Sequence, residues 1–590
     1  MSVNEDIARL LDETAEMMEL LGENRFRVAA LSRAARTISG LGDDLTSLAK
    51  DRKALTSIDG IGDKIADKIE EFIETGRIEE HDEYAARIPA GLLDVLRIPG
   101  VGPKTVKSMW DEKGVESIDD LKNIIDDGSI LEIPRMGKKT VENIKSAIAF
   151  AEHSGERTPL GLAMPAAEHV VEHLNTIKGV CQMAYAGSLR RGRDTIGDID
   201  VLAACEDPKA LSEAFRELDG VTQVLAAGET KSSVRMSLPS KRSDREIQVD
   251  LRVVPESAFG AALMYFTGSK EHNIRLRERA IKKGMTLNEY GLFKDDGEDD
   301  APPQERGVTP VASTTEQDIY KALDLPYIAP ELREDRGELT GDTPDDLIGL
   351  DDIRAELHAH TTASDGKLSI DELANEAKAR GFHTIAVTDH SKSQTVANGL
   401  SPERLREHIT AVHEANERIR GITILAGSEV DIHADGSLDY DDELLAELDI
   451  VVASPHWALT QKPDQATKRL LKAIEHPLVN IIGHPTGRLI GKREGMAPAM
   501  RDLAAAAKEH DTALEINAHW MRLDLRDSHV RIAMEEGALI AIDCDVHAAT
   551  DFDHLRYGVL TARRGWATSA QCVNTWTARK LHAWLSRNRS

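Results

Sequence analysis

The residues best placed to do chemistry are two aspartates separated by a single residue. Asp198 and Asp200 flank Ile199 in AGSLRRGRDTIGDIDVL, so on a β-strand both carboxylates face the same side. A third carboxylate, Asp250, sits in the middle of the apolar run REIQVDLRVV. Buried alone, it would be costly unless it bound metal or accepted hydrogen bonds. Three such aspartates can hold two Mg²⁺ (or Mn²⁺) ions, one activating an oxygen nucleophile and one gripping a phosphate chain. Gly187 and Ser188 lie just upstream in a turn suited to cradling phosphate. Arg191 can neutralise charge that develops there.

The C-terminal half holds a second concentration of ligand-type residues. His358 and His360 alternate in ELHAH, and Asp365 follows. Then come His390 in VTDH, Glu429 in GSEVD, His456 in ASPHW, His484 in IGHP, and Asp545 with His547 in DCDVH. This mixture of imidazole and carboxylate suits Zn²⁺ or Mn²⁺. One such histidine is more often a hydrogen-bonded core residue than a ligand. Nine ligand-type residues at successive strand ends are a set. Arg488, beside IGHP, is a candidate contact for a substrate phosphate, against the plainer reading of a solvated loop arginine. His519 in EINAHW stands where a small polar residue is expected, so it should alter the substrate side of this pocket.

The elements that must position these groups fall into regions. The first ~150 residues read as short helices broken by glycine; Leu10, Leu11, Met17, Met18 and Leu21 recur at helical spacing, and Gly22 is a stop. From about Met183 the texture shifts to short apolar strands, VLAAC, EIQVDLRVV and AALMYF. The stretch KDDGEDDAPPQE, from Lys294 to Glu305, reads as an exposed loop, and Pro326 to Asp346, rich in proline and carboxylates, as a linker. Beyond it TIAVT, ITILAGSEV, DIVVAS, VNIIGHP and ALEINA alternate with helical stretches such as IDELANEAKARG. That order implies a βα barrel-like unit with its active residues at strand ends.

Three related segments punctuate the helical region: SIDGIGDKIADKI, RIPGVGPKTVKSM and EIPRMGKKTVENI. Gly60 with Gly62, and Gly100 with Gly102, precede a helix that carries Lys64 or Lys104 in its first turn. Glycine allows the tight turn that aims helix-start N–H groups at a phosphate. In the third segment Arg135 replaces the first glycine. Two matching hairpins point to sequence-independent DNA binding; packing alone is the alternative.

The order of these motifs resembles the family X DNA polymerases of bacteria and archaea that carry a C-terminal PHP (polymerase and histidinol phosphatase) domain. The resemblance rests on GSLRRG with the three aspartates, on Tyr265-Phe266-Thr267-Gly268-Ser269 with Asn273 and Arg277, on LNEYGLF (Leu287 to Phe293), and on the nine barrel positions. It covers roughly residues 1–320 and 350–580. It implies that Ser188 and Arg191 contact the triphosphate and that Tyr265 and Phe266 pack on the incoming sugar. Gly268 belongs to the same nucleotide-selecting segment, Asn273 reads the base's minor-groove edge, and Arg277 lies near the template. It implies a trinuclear PHP site using Mn²⁺ and/or Zn²⁺, with 3′–5′ exonuclease and 3′-phosphatase chemistry and, in some relatives, cleavage at abasic sites. Lys68 matches the lysine that forms a Schiff base with an abasic sugar; a plain surface lysine is the alternative.

The expected fold is therefore multidomain: a helix-hairpin-helix N-terminal region, an α+β nucleotidyltransferase palm and thumb, and a distorted (β/α)7-type PHP barrel. The expected divisions are 1–80, 81–150, 151–258, 259–325, an acidic linker at 326–349 and 350–585. The expected partners are gapped or nicked duplex DNA and dNTPs, with the chain a monomer. The linker is expected to tether the two sites so that a primer end passes between them at high effective concentration.

Composition agrees except in charge. At 590 residues the chain needs several cores. No apolar run approaches the ~18 residues of a membrane span. The acidic start MSVNEDIARLLDE argues against a targeting peptide, and Cys181, Cys205, Cys544 and Cys572 show no CxxC spacing; a cytoplasmic setting is the expectation. The net charge of −29 is discordant, because phosphate binding wants a basic footprint. An acidic metabolic enzyme, or an acidic surface suited to a high-salt cytoplasm, would each give it. The rival functions are transfer of nucleotides to another acceptor, a DNA-binding scaffold, and a small-molecule phosphatase.

Overall fold

A computed structural model describes residues 3–587, apart from 40, 42–44, 59, 90, 97, 99–100, 134–135, 138–140, 142–143, 146–147, 149–156, 239–244, 296, 298–300 and 341–342. The chain divides into two compact units, Met1–Glu156 and Arg157–Ser590. Among the described residues no helix is long and apolar enough to cross a membrane.

The first unit is helical. Val3–Leu20 packs along Arg25–Ser39, burying Ile7, Leu11, Met17 and Met18, and Gly22 ends the first helix with φ +73°. The glycine hairpins open the helices Asp63–Thr75 and Pro103–Lys113, with Gly62 and Gly102 as N-caps that offer no side chain. No capping side chain therefore covers the first N–H groups of these helices. Gly100 and Arg135 lie outside the described residues.

The second unit contains two sheets that matter for chemistry. One has five strands, ordered Val180–Tyr185, Asp198–Cys205, Glu246–Val254, Lys231–Ser237 and Val221–Ala227. Alternate residues of Glu246–Val254 are buried, Ile247, Val249, Leu251 and Val253 facing the helices. The other is a seven-stranded parallel sheet running in chain order from Ala355–Glu356 to Leu539–Asp543. A parallel bridge between Ala359 and Val546 brings its first and last edges together. The expected strands TIAVT, ITILAGSEV, DIVVAS, VNIIGHP and ALEINA all fall in this sheet.

Two expectations need correction. AALMYF is not a strand but part of the helix Phe259–Thr267. A short apolar run carries no period, and burial on both sides suits either element; here Gly260 sits against the backbone of Thr314 and Thr315. Nor is the expected acidic linker, 326–349, unpacked among its described residues. Ile328, Leu332, Arg333, Glu338 and Ile348 are buried. Its charges are spent on partners: Arg333 donates to Glu316 at 2.7 Å, Glu331 accepts from Arg563 at 2.8 Å, and Glu338 pairs with His272 at 2.7 Å. Proline and acid content read as solvation, but Glu331, Glu334, Asp335 and Glu338 each meet a partner distant in sequence.

Candidate functional site

The three aspartates converge through strand register. Asp198–Cys205 runs parallel to Glu246–Val254 with Asp200 opposite Asp250, and Asp198 follows on the same face. Their carboxylate oxygens lie within 4.8 Å of one another. Burial, then the charges of Asp198 and Asp250, push Asp200 up to about 7. Asp198 is also raised, by burial and by Asp250, and the Arg157 guanidinium opposes this. Three crowded carboxylates, with Asp198 and Asp200 both raised, make a donor set that fits a divalent cation. Gly187, at φ +61°, is required here: a Cβ would strike the Asp200 carboxylate.

An open cleft of about 710 Å³ faces these groups, lined by Asp198 and Asp200 and by Arg157, Ser188, Arg191, Arg193, Lys270 and Arg277. Five cations around two carboxylates fit a polyanion carried with metal. Tyr265, Phe266, Gly268 and Asn273 line the same cleft. Phe266 lies edge-on to Tyr265 at 5.3 Å and beneath the Arg252 guanidinium at 4.5 Å, while Asn273 donates to the Tyr265 carbonyl at 2.7 Å. Arg191 donates to the Thr267 carbonyl at 2.5 Å and to Glu334 at 3.1 Å. Arg157 and Lys270 were not singled out from sequence. Arg157 belongs to no motif, and reaches the cleft by bonding Thr195, its Nη2 donating to the carbonyl at 2.7 Å.

The barrel brings the histidine set together at strand ends. His360, Asp365, His390 and His547 form one group, His358, His360 and Asp545 a second, and His390, Glu429 and His456 a third. Sharing His360 and His390, they make one continuous cluster. His484, the ninth residue, joins through Nε2, 2.9 Å from Glu429. Buried His358 Nε2, both ring nitrogens of His360, Glu429 Oε2 and Asp545 Oδ1 make no well-aligned hydrogen bond, though Glu429 Oε2 lies 2.8 Å from His390 Nδ1 and Asp545 Oδ1 3.1 Å from His360 Nε2. Buried polar atoms are rarely left so; this donor set fits several divalent cations. Burial drives His360 down to about 4 and His484 to about 3, the neutral form that a ligand needs. Burial also opposes charge on His390, yet Glu429 and Asp365 lift it to about 10. His484 and Asp545 sit at φ +26° and +55°, strained conformations of the kind held at functional sites.

A layer of carboxylates behind the ligands was not found from sequence. His358 Nδ1 donates to Glu515 at 2.7 Å, which turns Nε2 toward the cluster. Asp431 accepts from His456 Nδ1, and Gln394 donates to it at 3.0 Å. Asp389 holds the turn before Asp365, accepting from Thr361 and Ser364. Such partners fix the ring orientation of ligating histidines. Asp431, two residues after Glu429 on a strand, had a readable signal; Glu515 had none.

Arg488 is not free for substrate. It is buried, donates to the Arg522 and Leu523 carbonyls at 2.7 and 2.6 Å, and pairs with Asp194 at 3.2 Å. His519 stacks on Trp520 and meets the His554 ring at 4.6 Å, and burial lowers it to about 4. In the first unit Lys64 and Lys104 are exposed at their hairpins. Lys68 is half-buried and paired with Glu80 at 2.8 Å, and Glu80 also takes Arg27.

Comparison with known proteins agrees with these geometries. Residues 2–78 match a helix-hairpin-helix domain, 92–149 a SAM-like helix-hairpin-helix tandem, 159–254 the DNA polymerase beta palm, 262–334 the DNA polymerase beta thumb and 356–519 the PHP domain. The chain is 26% identical over 343 residues to DNA polymerase lambda of Rattus norvegicus, covering 56% of each chain. A probable phosphatase of Thermoanaerobacter sp. (strain X514) is 30% identical over 231 residues, 37% of this chain and 89% of its own. DNA polymerase/3′-5′ exonuclease PolX of Bacillus subtilis (strain 168) is 37% identical over 592 residues, 99% of each chain. With both centres built from the residues described and similarity end to end, the chain belongs to the PolX family, family X DNA polymerases with a C-terminal PHP domain.

Proposed function

We propose that this protein is a DNA-directed DNA polymerase that fills short gaps during repair, and that its barrel trims 3′ ends before or between additions. The carrying observation is the presence of two complete cation-binding groups in one chain, the aspartate triad and the nine-residue cluster. Asp198, Asp200 and Asp250 would hold Mg²⁺ or Mn²⁺, which supplies charge for the incoming triphosphate and lowers the pKa of the primer hydroxyl. Ser188, Arg191 and Gly268 line the cleft where the phosphates enter; Arg157, Arg193 and Lys270 add positive charge beside them. Tyr265 and Phe266 form the wall for the sugar, Asn273 faces the base and Arg277 the template. Gly60, Gly62 and Lys64, with Gly100, Gly102 and Lys104, grip the DNA backbone on either side of a gap.

In the barrel, His358, His360, Asp365, His390, Glu429, His456, His484, Asp545 and His547 would hold Mn²⁺ and/or Zn²⁺, whose role is to activate water and clamp a phosphodiester. Asp365 and His547, about one third exposed, mark the side on which a 3′ end enters. Glu515 and Asp431 keep the imidazoles aimed. Schiff-base chemistry at Lys68 would need Glu80 to release it, so a lyase is not part of the proposal.

The test is a gapped duplex with a 3′-mismatched, labelled primer, incubated with Mg²⁺ or Mn²⁺, first without and then with dNTPs. Trimming followed by gap filling is expected. Extension without trimming would remove the exonuclease from the reading; neither activity would overturn both halves.

A further inference from the structure

The turn that carries Arg191 is fastened to the barrel. Glu334, nine-tenths buried, accepts from Arg191 Nε at 3.1 Å and from Arg564 at 2.8 Å, with Arg193 at 3.4 Å. Arg564 belongs to the barrel helix Leu555–Arg564. Its Nη1 also donates to the Arg191 carbonyl at 2.8 Å, and its Nη2 to Asp527 of the barrel at 2.8 Å. Arg336, two residues beyond Glu334, reaches the same Asp527 oxygen at 3.0 Å. One turn further, Gly192 lies against Leu560, and Asp194 pairs with Arg488. Both the backbone and the guanidinium of Arg191 are therefore set by groups outside the aspartate sheet.

None of these contacts involves the nine barrel ligands, and none involves the three aspartates. Charge balance makes the arrangement specific. Two arginines from the cleft and one from the barrel share a single carboxylate, which their charges hold far below the usual range despite its burial. With Nε on Glu334 and Nη1 on the Thr267 carbonyl, the guanidinium plane is fixed at the cleft wall. An arginine held beforehand loses less entropy when it meets a phosphate.

We propose that Arg564 and Glu334 are positioning residues for nucleotide binding: through them the barrel fixes Arg191 and so sets affinity for the incoming triphosphate, independently of its own metal centre. The inference rests on the reading that Arg191 contacts the triphosphate. Steady-state extension by the full chain at varied dNTP, with trimming measured on the same primer without nucleotide, tests it.

Arg191→Ala comes first, with the nucleotide KM expected to rise about tenfold or more. If that KM does not move, the reading of Arg191 fails and the proposal falls with it. With Arg191 secured, Glu334→Gln and Arg564→Gln are expected to raise the nucleotide KM about five- to tenfold, with kcat and trimming each within about twofold. Arg564→Lys, which keeps a charge for Glu334 but not the fork, should fall between. An unchanged nucleotide KM in the Gln variants overturns the proposal. So does an equal loss of extension and trimming together with a lowered melting temperature, the mark of a merely structural weld. Should Glu334→Gln fail to fold, Arg564→Lys at an unaltered melting temperature decides in the same two ways.

Discussion

The two centres solve the same problem, holding cations against phosphate, with opposite materials. In the sheet, three carboxylates stand on one face at an open cleft, and their mutual repulsion and burial raise Asp200 to about 7. Arg157 beside Asp198, and Arg252 and Arg191 beside Asp200, offset only part of that. In the barrel, buried imidazoles alternate with carboxylates, and a further layer, Glu515, Asp431 and Asp389, orients or braces the ligands. The difference separates a site completed by what the substrate brings from one organised in advance. A metal–nucleotide complex delivers its own counter-charge, whereas water activation needs an ion already resident.

The sharpest break of that comparison is to remove one ligand from each centre. Asp250→Ala should lower extension by about a thousandfold or more and leave trimming intact, and His360→Ala should do the reverse. Both activities on one labelled primer are the readout; loss of both in a folded variant would mean that the centres are not separate. Next in size is metal retention. After gel filtration in metal-free buffer, elemental analysis should find Zn or Mn retained at near-stoichiometric levels, and His358→Ala should lower it. Asp250→Ala should not change it. Equal retention in all three proteins would erase the distinction.

Proton release sharpens it further. A cation binds the deprotonated ligand, so at pH 6 Mg²⁺ binding to the sheet should release close to one proton from Asp200, and at pH 8 little. Loading the metal-free barrel at pH 8 should still release protons, because His390 at about 10 and His547 at about 9 start protonated. Calorimetry in two buffers of different ionisation enthalpy measures both, and similar release by the two centres at pH 8 would contradict the contrast. The smallest effect belongs to the bracing layer: Asp431→Asn should weaken trimming or metal retention by about ten- to a hundredfold, with extension unchanged.

Much of both sites was legible because their spacing is local. Asp198 and Asp200, or His358 and His360, share a face by strand alternation alone, and strand-end positions gave the rest of the barrel ligands. Asp250 was legible as a carboxylate in an apolar strand, but its place opposite Asp200 came only with the parallel register. What stayed hidden lacks a local signature. Arg157 and Glu515 are single residues whose partners lie 38 and 157 positions away. The segment 326–349 looked like a linker because its acids and prolines were counted without the arginines that meet them.

The sequence by itself determined which atoms can bind cations, and in what order strands and helices deliver them, because side-chain type and periodicity are local properties. Only the tertiary structure decided that Arg488 is a buried tie to Asp194 rather than a phosphate contact, that Lys68 is paired with Glu80, and that Glu334 joins Arg191 to the barrel. Each depends on which opposite charge folding brings within about 3 Å, the range of a charge-assisted hydrogen bond, and that choice is made across long stretches of chain.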